Sequence, residues 1–84
     1  MKIKNISILN VFPEISGMVE ILKWHKAEGD QISRGNPLIE IIANKEVFEI
    51  NSPCSGILAK INANKNEIVS PESIIAIIKE KHKK

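Results

Sequence analysis

The sequence is poor in cysteine and in aromatic residues. Its 84 residues include one cysteine and only 4% aromatic side chains. A single cysteine, Cys54, excludes an internal disulfide and cannot form a zinc site by itself, and it fits a reducing compartment. We interpret it as a small apolar residue that is at least partly buried.

Long apolar runs are also absent. No segment approaches the roughly 20 apolar residues that cross a membrane as a helix. The apolar N-terminal segment is interrupted by Asn5, Ser7 and Asn10 and lacks a small-residue cleavage site, so it does not have the pattern of a signal peptide. We therefore expect a cytoplasmic domain with no membrane partner.

Positive and negative charges nearly balance, and the formal net charge is +2. Part of the excess lies in the C-terminal KEKHKK, so the remainder has neither the basic face nor the interleaved aromatic residues of a nucleic-acid-binding protein. We expect no nucleic-acid partner. We assign residues 1–79 to a single domain and residues 80–84 to a basic tail or the start of a linker.

The residue types that usually carry catalysis do not form recognisable groups. His25 and His82 have no nearby cysteine or serine that would complete a nucleophile and its base, and we interpret both as structural. No GxGxxG or GxxxxGK[ST] phosphate loop occurs. The isolated glycines fit turns or sites of close backbone approach. We therefore predict neither an enzyme active site nor a metal centre.

Isoleucine dominates the apolar residues, which favours β-structure because β-branched side chains pack well on a pleated sheet. Glycine and proline divide the chain into segments too short for typical helices. We predict eight strands, over residues 3–9, 18–25, around Ile32, 38–43, 46–50, 56–62, around Ile68, and 74–79. Eight closely spaced short strands indicate an all-β sandwich or barrel.

The two halves of the chain repeat the same pattern. A Pro…Ser-Gly sequence ending at Gly17 recurs with its end at Gly56. Five apolar residues of the first half recur in the second at an offset of 68 − 32 = 36: Ile32, Leu38, Ile39, Ile41 and Ile42 become Ile68, Ile74, Ile75, Ile77 and Ile78. Since neither half could bury its apolar face alone, we predict two similar sheets packed face to face about a pseudo-twofold axis.

The segment ANKEVFEINS interrupts this repeat and contains a predicted hairpin tip. Asn44 suits the turn because asparagine tolerates left-handed conformations. Lys45 would project from the apex, without the desolvation or cationic neighbour that a catalytic lysine needs. From these residues alone, Lys45 is either a solvated surface charge or a side chain presented to a modifying enzyme.

Two motifs around this hairpin resemble the lipoyl/biotinyl carrier-domain family, and most closely the lipoyl domain of 2-oxoacid dehydrogenase acyltransferase subunits. They are EGDxIxxGxPLxEI at residues 28–41 and, after Asn44-Lys45-Glu46, EIxSPxxGIL at residues 49–58. In lipoyl domains one glycine lies sixteen residues before the modified lysine and another eleven after it. Here 45 − 29 = 16 and 56 − 45 = 11. The resemblance extends from about Ile15 to Ile78.

The resemblance implies a flattened β-barrel of two four-stranded sheets, the biotinyl/lipoyl hammerhead. Lys45 would carry lipoic acid in amide linkage as a swinging arm, with Asn44 and Glu46 as the flanking turn residues. A lipoate ligase would modify it, and the arm would pass acyl groups from a 2-oxoacid decarboxylase to an acyltransferase core before a flavin dehydrogenase reoxidised it. The domain, which we expect to be monomeric, would itself supply no catalytic group.

Two alternatives share the same fold. Biotin carboxyl carrier domains usually have methionine on both sides of the lysine, where this chain has Asn44 and Glu46, so biotin fits less well. The usual lipoyl tripeptide, Asp-Lys-Ala, also differs at both flanking positions. The second alternative is an unmodified interaction or structural module in which Lys45 is an ordinary surface residue.

Overall fold

A computed structural model describes residues 2–81 of the chain, which form eight strands and one short helix. In chain order these are β1 (Lys2–Ser7), α1 (Ile8–Val11), β2 (Val19–Trp24), β3 (Gln31–Ile32), β4 (Pro37–Ala43), β5 (Glu46–Asn51), β6 (Gly56–Ile61), β7 (Ile68–Val69) and β8 (Ile74–Glu80). The all-β prediction is confirmed. Each predicted strand is present, with ends that agree or differ by one or two residues.

The strands form two four-stranded antiparallel sheets. The first has the order β1-β8-β6-β3 and the second the order β5-β4-β2-β7. The short strand β3 pairs with β6, and the short strand β7 pairs with β2. The short strand of the first half, β3, therefore lies in the sheet with β6 and β8 of the second half, and β7 of the second half lies in the sheet with β2 and β4 of the first. Each sheet thus contains strands from both halves of the chain.

The internal repeat is real, but its offset is 37 residues and not the predicted 36. Strands β2 and β6 begin at Val19 and Gly56, so 56 − 19 = 37, and their burial patterns are the same. The same offset of 37 relates the first residue of β3 to that of β7 and the first residue of β4 to that of β8. The error arose because isoleucines stand at adjacent positions, so an isoleucine of the first half can be aligned with an isoleucine of the second half at either offset. In the structure the two offsets are not equivalent, because a shift of one residue moves every side chain to the opposite face of a strand.

The core lies between the two sheets and is almost entirely aliphatic. Phe12 and Phe48 lie at its margin, with ring centroids 4.8 Å apart and an interplanar angle of 85°. Burying one aliphatic side chain contributes roughly 1.5–3 kcal/mol, so this core stabilises a small domain that has no disulfide. Within residues 2–81, the buried apolar side chains are Ile6, Ile8, Ile15, Val19, Ile21, Ile32, Leu38, Ile39, Ile41, Ala43, Ile50, Cys54, Leu58, Ala63, Ile75, Ala76 and Ile78.

Residues 8 and 9 belong to α1, so the prediction that the first strand continues to Leu9 was wrong. Ser7 caps this single turn, because its Oγ accepts a hydrogen bond from the Asn10 N–H at 3.3 Å. Ile8, which the strand prediction included, is fully buried at the start of the turn. Within residues 2–81 no helix has the length and apolar character needed to cross a membrane.

The last strand extends beyond the predicted Lys79. Glu80 belongs to β8 and pairs with Lys2 on one side and Gly56 on the other. The Lys81 N–H then donates a hydrogen bond to the Ser55 carbonyl oxygen at 2.9 Å. Residues 82–84 of the predicted basic tail lie outside the described residues, and the boundary between domain and tail stays a prediction.

Candidate functional site

The hairpin formed by β4 and β5 contains the residues that the sequence singled out. Six residue pairs align the two strands, from Pro37 opposite Asn51 to Ala43 opposite Glu46. Ala43 is 1% exposed and fixes the end of β4 to the core. The two residues beyond this closing pair therefore form the tip of a hairpin whose base is firmly packed.

The turn itself consists of Asn44 and Lys45, both in the left-handed region, with φ values of 52° and 65°. Two-residue hairpin loops favour this combination because its twist matches that of the flanking strands. Asparagine was expected to adopt such a conformation, but a lysine rarely does. The turn geometry is thus confirmed at Asn44 and is unusual at Lys45.

All three predicted site residues, Asn44, Lys45 and Glu46, are exposed at this tip. Within residues 2–81, no carboxylate oxygen lies within 4.0 Å of the Lys45 amine. An exposed amine on a fixed turn can be acylated by another enzyme, whereas the site has no apolar enclosure that would make the lysine a catalytic base. The arrangement can present a covalently attached group.

The two glycines at the family spacing have separate structural reasons. Gly29 has a φ of 94° in the turn after β2, where its N–H donates to the Leu58 carbonyl oxygen at 2.7 Å. Gly56 lies so close to β8 that a Cβ atom would be 2.1 Å from the Lys79 carbonyl oxygen. Both therefore shape the scaffold that carries the hairpin, and both lie outside the hairpin itself.

A second group of polar residues was not predicted. Glu40 and Glu49 lie directly opposite each other on β4 and β5, and His25, just after β2, contacts both. The two glutamates are equally far from the centre of a two-residue turn at 44–45, so their pairing follows from the hairpin. The approach of His25 to the glutamates does not follow from the hairpin. It depends on the pairing of β2 with β4, where the register shifts between Ile21 and Lys23.

Two other residues, Cys54 and Trp24, support the fold. Cys54 is a free, buried thiol, and burial raises its pKa, with a smaller contribution from the negative charge of Glu80. The Trp24 indole N–H donates a hydrogen bond to the Ala63 carbonyl oxygen at 2.7 Å. These findings agree with the interpretation of Cys54 as a small buried residue, and they place Trp24 at the margin of the core.

Comparison with known proteins agrees with this geometry. The sequence model of a family of biotin and lipoyl domains, described as "Biotin-requiring enzyme", matches residues 11–78. The dihydrolipoyllysine-residue succinyltransferase component of the 2-oxoglutarate dehydrogenase complex of Buchnera aphidicola subsp. Baizongia pistaciae is 38% identical over 77 residues, covering 87% of this chain and 19% of that protein.

A second relative belongs to a different complex. The dihydrolipoyllysine-residue acetyltransferase component of the pyruvate dehydrogenase complex of Corynebacterium glutamicum is 36% identical over 58 residues, covering 69% of this chain and 9% of that protein. The chain thus spans a small part of these relatives' length.

A solved structure shows the same fold. The lipoyl domain of the 2-oxoglutarate dehydrogenase complex from Azotobacter vinelandii superimposes with a TM-score of 0.65 and 25% sequence identity, covering 76% of this chain and 82% of that one. The chain therefore belongs to the biotin and lipoyl domain family and has the fold of a lipoyl domain.

Proposed function

We propose that the chain is a lipoyl carrier domain in which Lys45 is the attachment site of lipoic acid. The observation that carries this proposal is the position of Lys45. Its amine is exposed at the apex of a two-residue turn, and the strands that lead to the turn are aligned over six residue pairs and anchored by buried Ala43. The family relationship and the spacing of Gly29 and Gly56 around Lys45 support the same position.

The residues of the tip fit such an attachment. The Lys45 Nζ would attack the carboxyl carbon of lipoic acid that a lipoate ligase has activated, so an amide bond would form as the bond to the activating group breaks and the amine loses a proton. The dithiolane of the bound group supplies acyl-transfer and redox chemistry that the protein lacks. Asn44 and Glu46 fix the backbone on either side of Lys45, so the tip holds the base of the arm while the arm itself stays free to move.

The relatives indicate where such a domain works. Their names place them in 2-oxoglutarate and pyruvate dehydrogenase complexes. By extension, we propose that this domain serves a 2-oxoacid dehydrogenase complex, visiting a decarboxylase, an acyltransferase core and a flavin dehydrogenase in turn. We further propose that the domain is monomeric and cytoplasmic.

The test is the intact mass of the 84-residue chain after co-expression with a lipoate ligase in medium containing lipoate. We expect a single lipoyl mass increment that maps to Lys45 and is abolished by Lys45→Arg. Lys65→Arg is the matched control, because Lys65 is also an exposed lysine next to asparagine in a loop. This variant should be modified as fully as the unmutated chain.

The same measurement distinguishes the alternatives. A biotin carrier would give a biotinyl increment and a positive streptavidin blot when expressed with a biotin ligase. An unmodified module would retain the mass of its bare sequence under conditions that fully modify a reference lipoyl domain. Either result, or a lipoyl group on a lysine other than Lys45, would contradict the proposal.

A further inference from the structure

Three side chains away from the hairpin tip converge on the outer face of the second sheet. His25 follows β2, whereas Glu40 and Glu49 lie on the adjacent strands β4 and β5. The His25 Nε2 is 2.7 Å from Oε2 of Glu40 and 3.7 Å from Oε2 of Glu49. One nitrogen or oxygen from each residue lies within 4.8 Å of the other two. An imidazole and two carboxylates from three segments therefore point to one place.

The two carboxylates are poorly compensated. Glu40 and Glu49 are directly opposite each other in the β4–β5 ladder, and like charges in such cross-strand pairs are destabilising. Within residues 2–81 no lysine or arginine nitrogen lies within 4.0 Å of either one, although the backbone of Lys23 is aligned with Glu40. The Glu49 carboxylate accepts no hydrogen bond from these residues, because the His25 Nε2 is directed at Glu40. With a neutral imidazole, the group carries a formal charge of −2.

We propose that His25, Glu40 and Glu49 bind a divalent transition-metal cation, with Zn²⁺ as the occupant. Carboxylate oxygens and an imidazole nitrogen are ordinary zinc ligands, and imidazole disfavours Mg²⁺ and Ca²⁺ as alternatives. A dication balances the two carboxylates. Bonds of about 2.0–2.2 Å in a tetrahedral site separate ligand atoms by roughly 3.3–3.6 Å. The His25–Glu40 and His25–Glu49 separations of 2.7 and 3.7 Å lie on either side of this separation, and the two carboxylates offer oxygens within 4.8 Å of each other, so side-chain movements of about 1 Å suffice.

Binding requires an unprotonated His25 Nε2, so the cation takes the place of the hydrogen bond between His25 and Glu40, and the imidazole proton resides on Nδ1. The fourth position would face solvent, because the side chains are 24%, 27% and 53% exposed for His25, Glu40 and Glu49. The cation would link the end of β2 to both strands of the hairpin. This site is independent of Lys45 and of whether lipoic acid is attached there.

The test is titration of the 84-residue chain with Zn²⁺ by calorimetry, together with Co²⁺ absorption as a report of coordination. We expect one Zn²⁺ per chain, no response to Mg²⁺, and Co²⁺ bands typical of nitrogen and oxygen ligands. His25→Ala, Glu40→Gln and Glu49→Gln should each lower the zinc affinity by about tenfold or more, since even residues that only support ligands contribute 10–100-fold.

Two variants serve as controls. His82→Ala tests the histidine of the C-terminal KEKHKK, and Glu72→Gln tests an exposed glutamate outside the group. Both should bind Zn²⁺ as the unmutated chain does. Because Glu49 is 53% exposed, Glu49→Gln should fold normally, and circular dichroism verifies this even if His25→Ala does not fold. Absence of zinc binding by the unmutated chain, loss of binding in His82→Ala, or full affinity in Glu49→Gln would overturn the proposal.

Discussion

Position 45 carries a lysine where the backbone favours glycine. Both turn residues have positive φ values, and the second position of such a hairpin turn is the one that glycine most often occupies. A non-glycine residue in this conformation costs roughly 1–2 kcal/mol, less for residues that adapt to turns. Lys45 forms no ion pair within residues 2–81 that would offset the cost. Its presence is therefore better explained by a role of the amine than by folding.

We therefore expect Lys45→Gly to stabilise the domain. Glycine removes the free-energy cost of the left-handed conformation, and this gain exceeds the loss caused by the larger conformational entropy of glycine in the unfolded chain. We expect the free energy of unfolding to rise by up to about 1 kcal/mol. Urea unfolding followed by circular dichroism measures it. Lys45→Arg is the matched control and should leave stability unchanged, since arginine meets the same backbone. A destabilised Lys45→Gly variant would show that the lysine side chain supports the fold.

The residues of the site differ in how far the sequence predicts them. The position of the turn at Asn44 and Lys45 can be predicted from local turn preferences. The cross-strand pairing of Glu40 with Glu49 then follows from the position of the turn. The approach of His25 to the glutamates could not be predicted, because it depends on strands joined through a register shift between Ile21 and Lys23. Local sequence preferences carry no information about such an irregularity.

At the scale of the elements, β6 and β8 approach unusually closely. Gly56 begins β6 and pairs with Glu80, and a Cβ atom at this position would lie 2.1 Å from the Lys79 carbonyl oxygen. That distance is far below any van der Waals contact, and the obstructing atom belongs to the backbone of a central strand. The strand cannot move aside without disturbing its pairing with β1 as well.

We therefore expect Gly56→Ala to destabilise the domain by about 3 kcal/mol or more, at the upper end of the range for overpacking. Gly29→Ala is the control, because its added Cβ meets nothing within 4 Å and only the positive φ of 94° is strained. That variant should lose about 1–2 kcal/mol. Thermal and urea unfolding compare the two variants, and equal losses would refute the steric explanation.

The elements were predictable to different degrees for a physical reason. Isoleucine-rich segments divided by glycine and proline sufficed to predict the eight strands, since both signals are local. The single turn of α1 was missed because Ile6 and Ile8 are both buried, a spacing that a strand and this turn share. The repeat was recognised, yet its offset was wrong by one residue because isoleucine occurs at adjacent positions, and only burial distinguishes the two registers.

At the scale of the whole molecule, the offset of 37 relates the hairpin to the chain ends. Ala43 corresponds to Glu80, because 43 + 37 = 80. Ala43 pairs with Glu46 across the turn, and Glu80 pairs with Lys2 in the same way. The described chain ends therefore occupy the place that the turn at Asn44 and Lys45 occupies in the other half. The fold has two equivalent ends, of which one carries the candidate attachment site and the other carries the paired residues Lys2 and Glu80.

This equivalence predicts that an Asn-Gly turn can join Glu80 to Lys2. In a circular permutant with this link, new termini can be placed between Ser16 and Gly17, which are exposed. Asn-Gly suits a two-residue hairpin turn, and exposed loops tolerate new termini. We expect a folded monomer with the amide NMR pattern of the original sheets and with Lys45 modified as before.

A control link of Val-Val cannot readily adopt positive φ values and should lower the midpoint of thermal unfolding relative to Asn-Gly. If both links gave an unfolded chain, or if Val-Val equalled Asn-Gly, the proposed equivalence between the chain ends and the hairpin would be wrong.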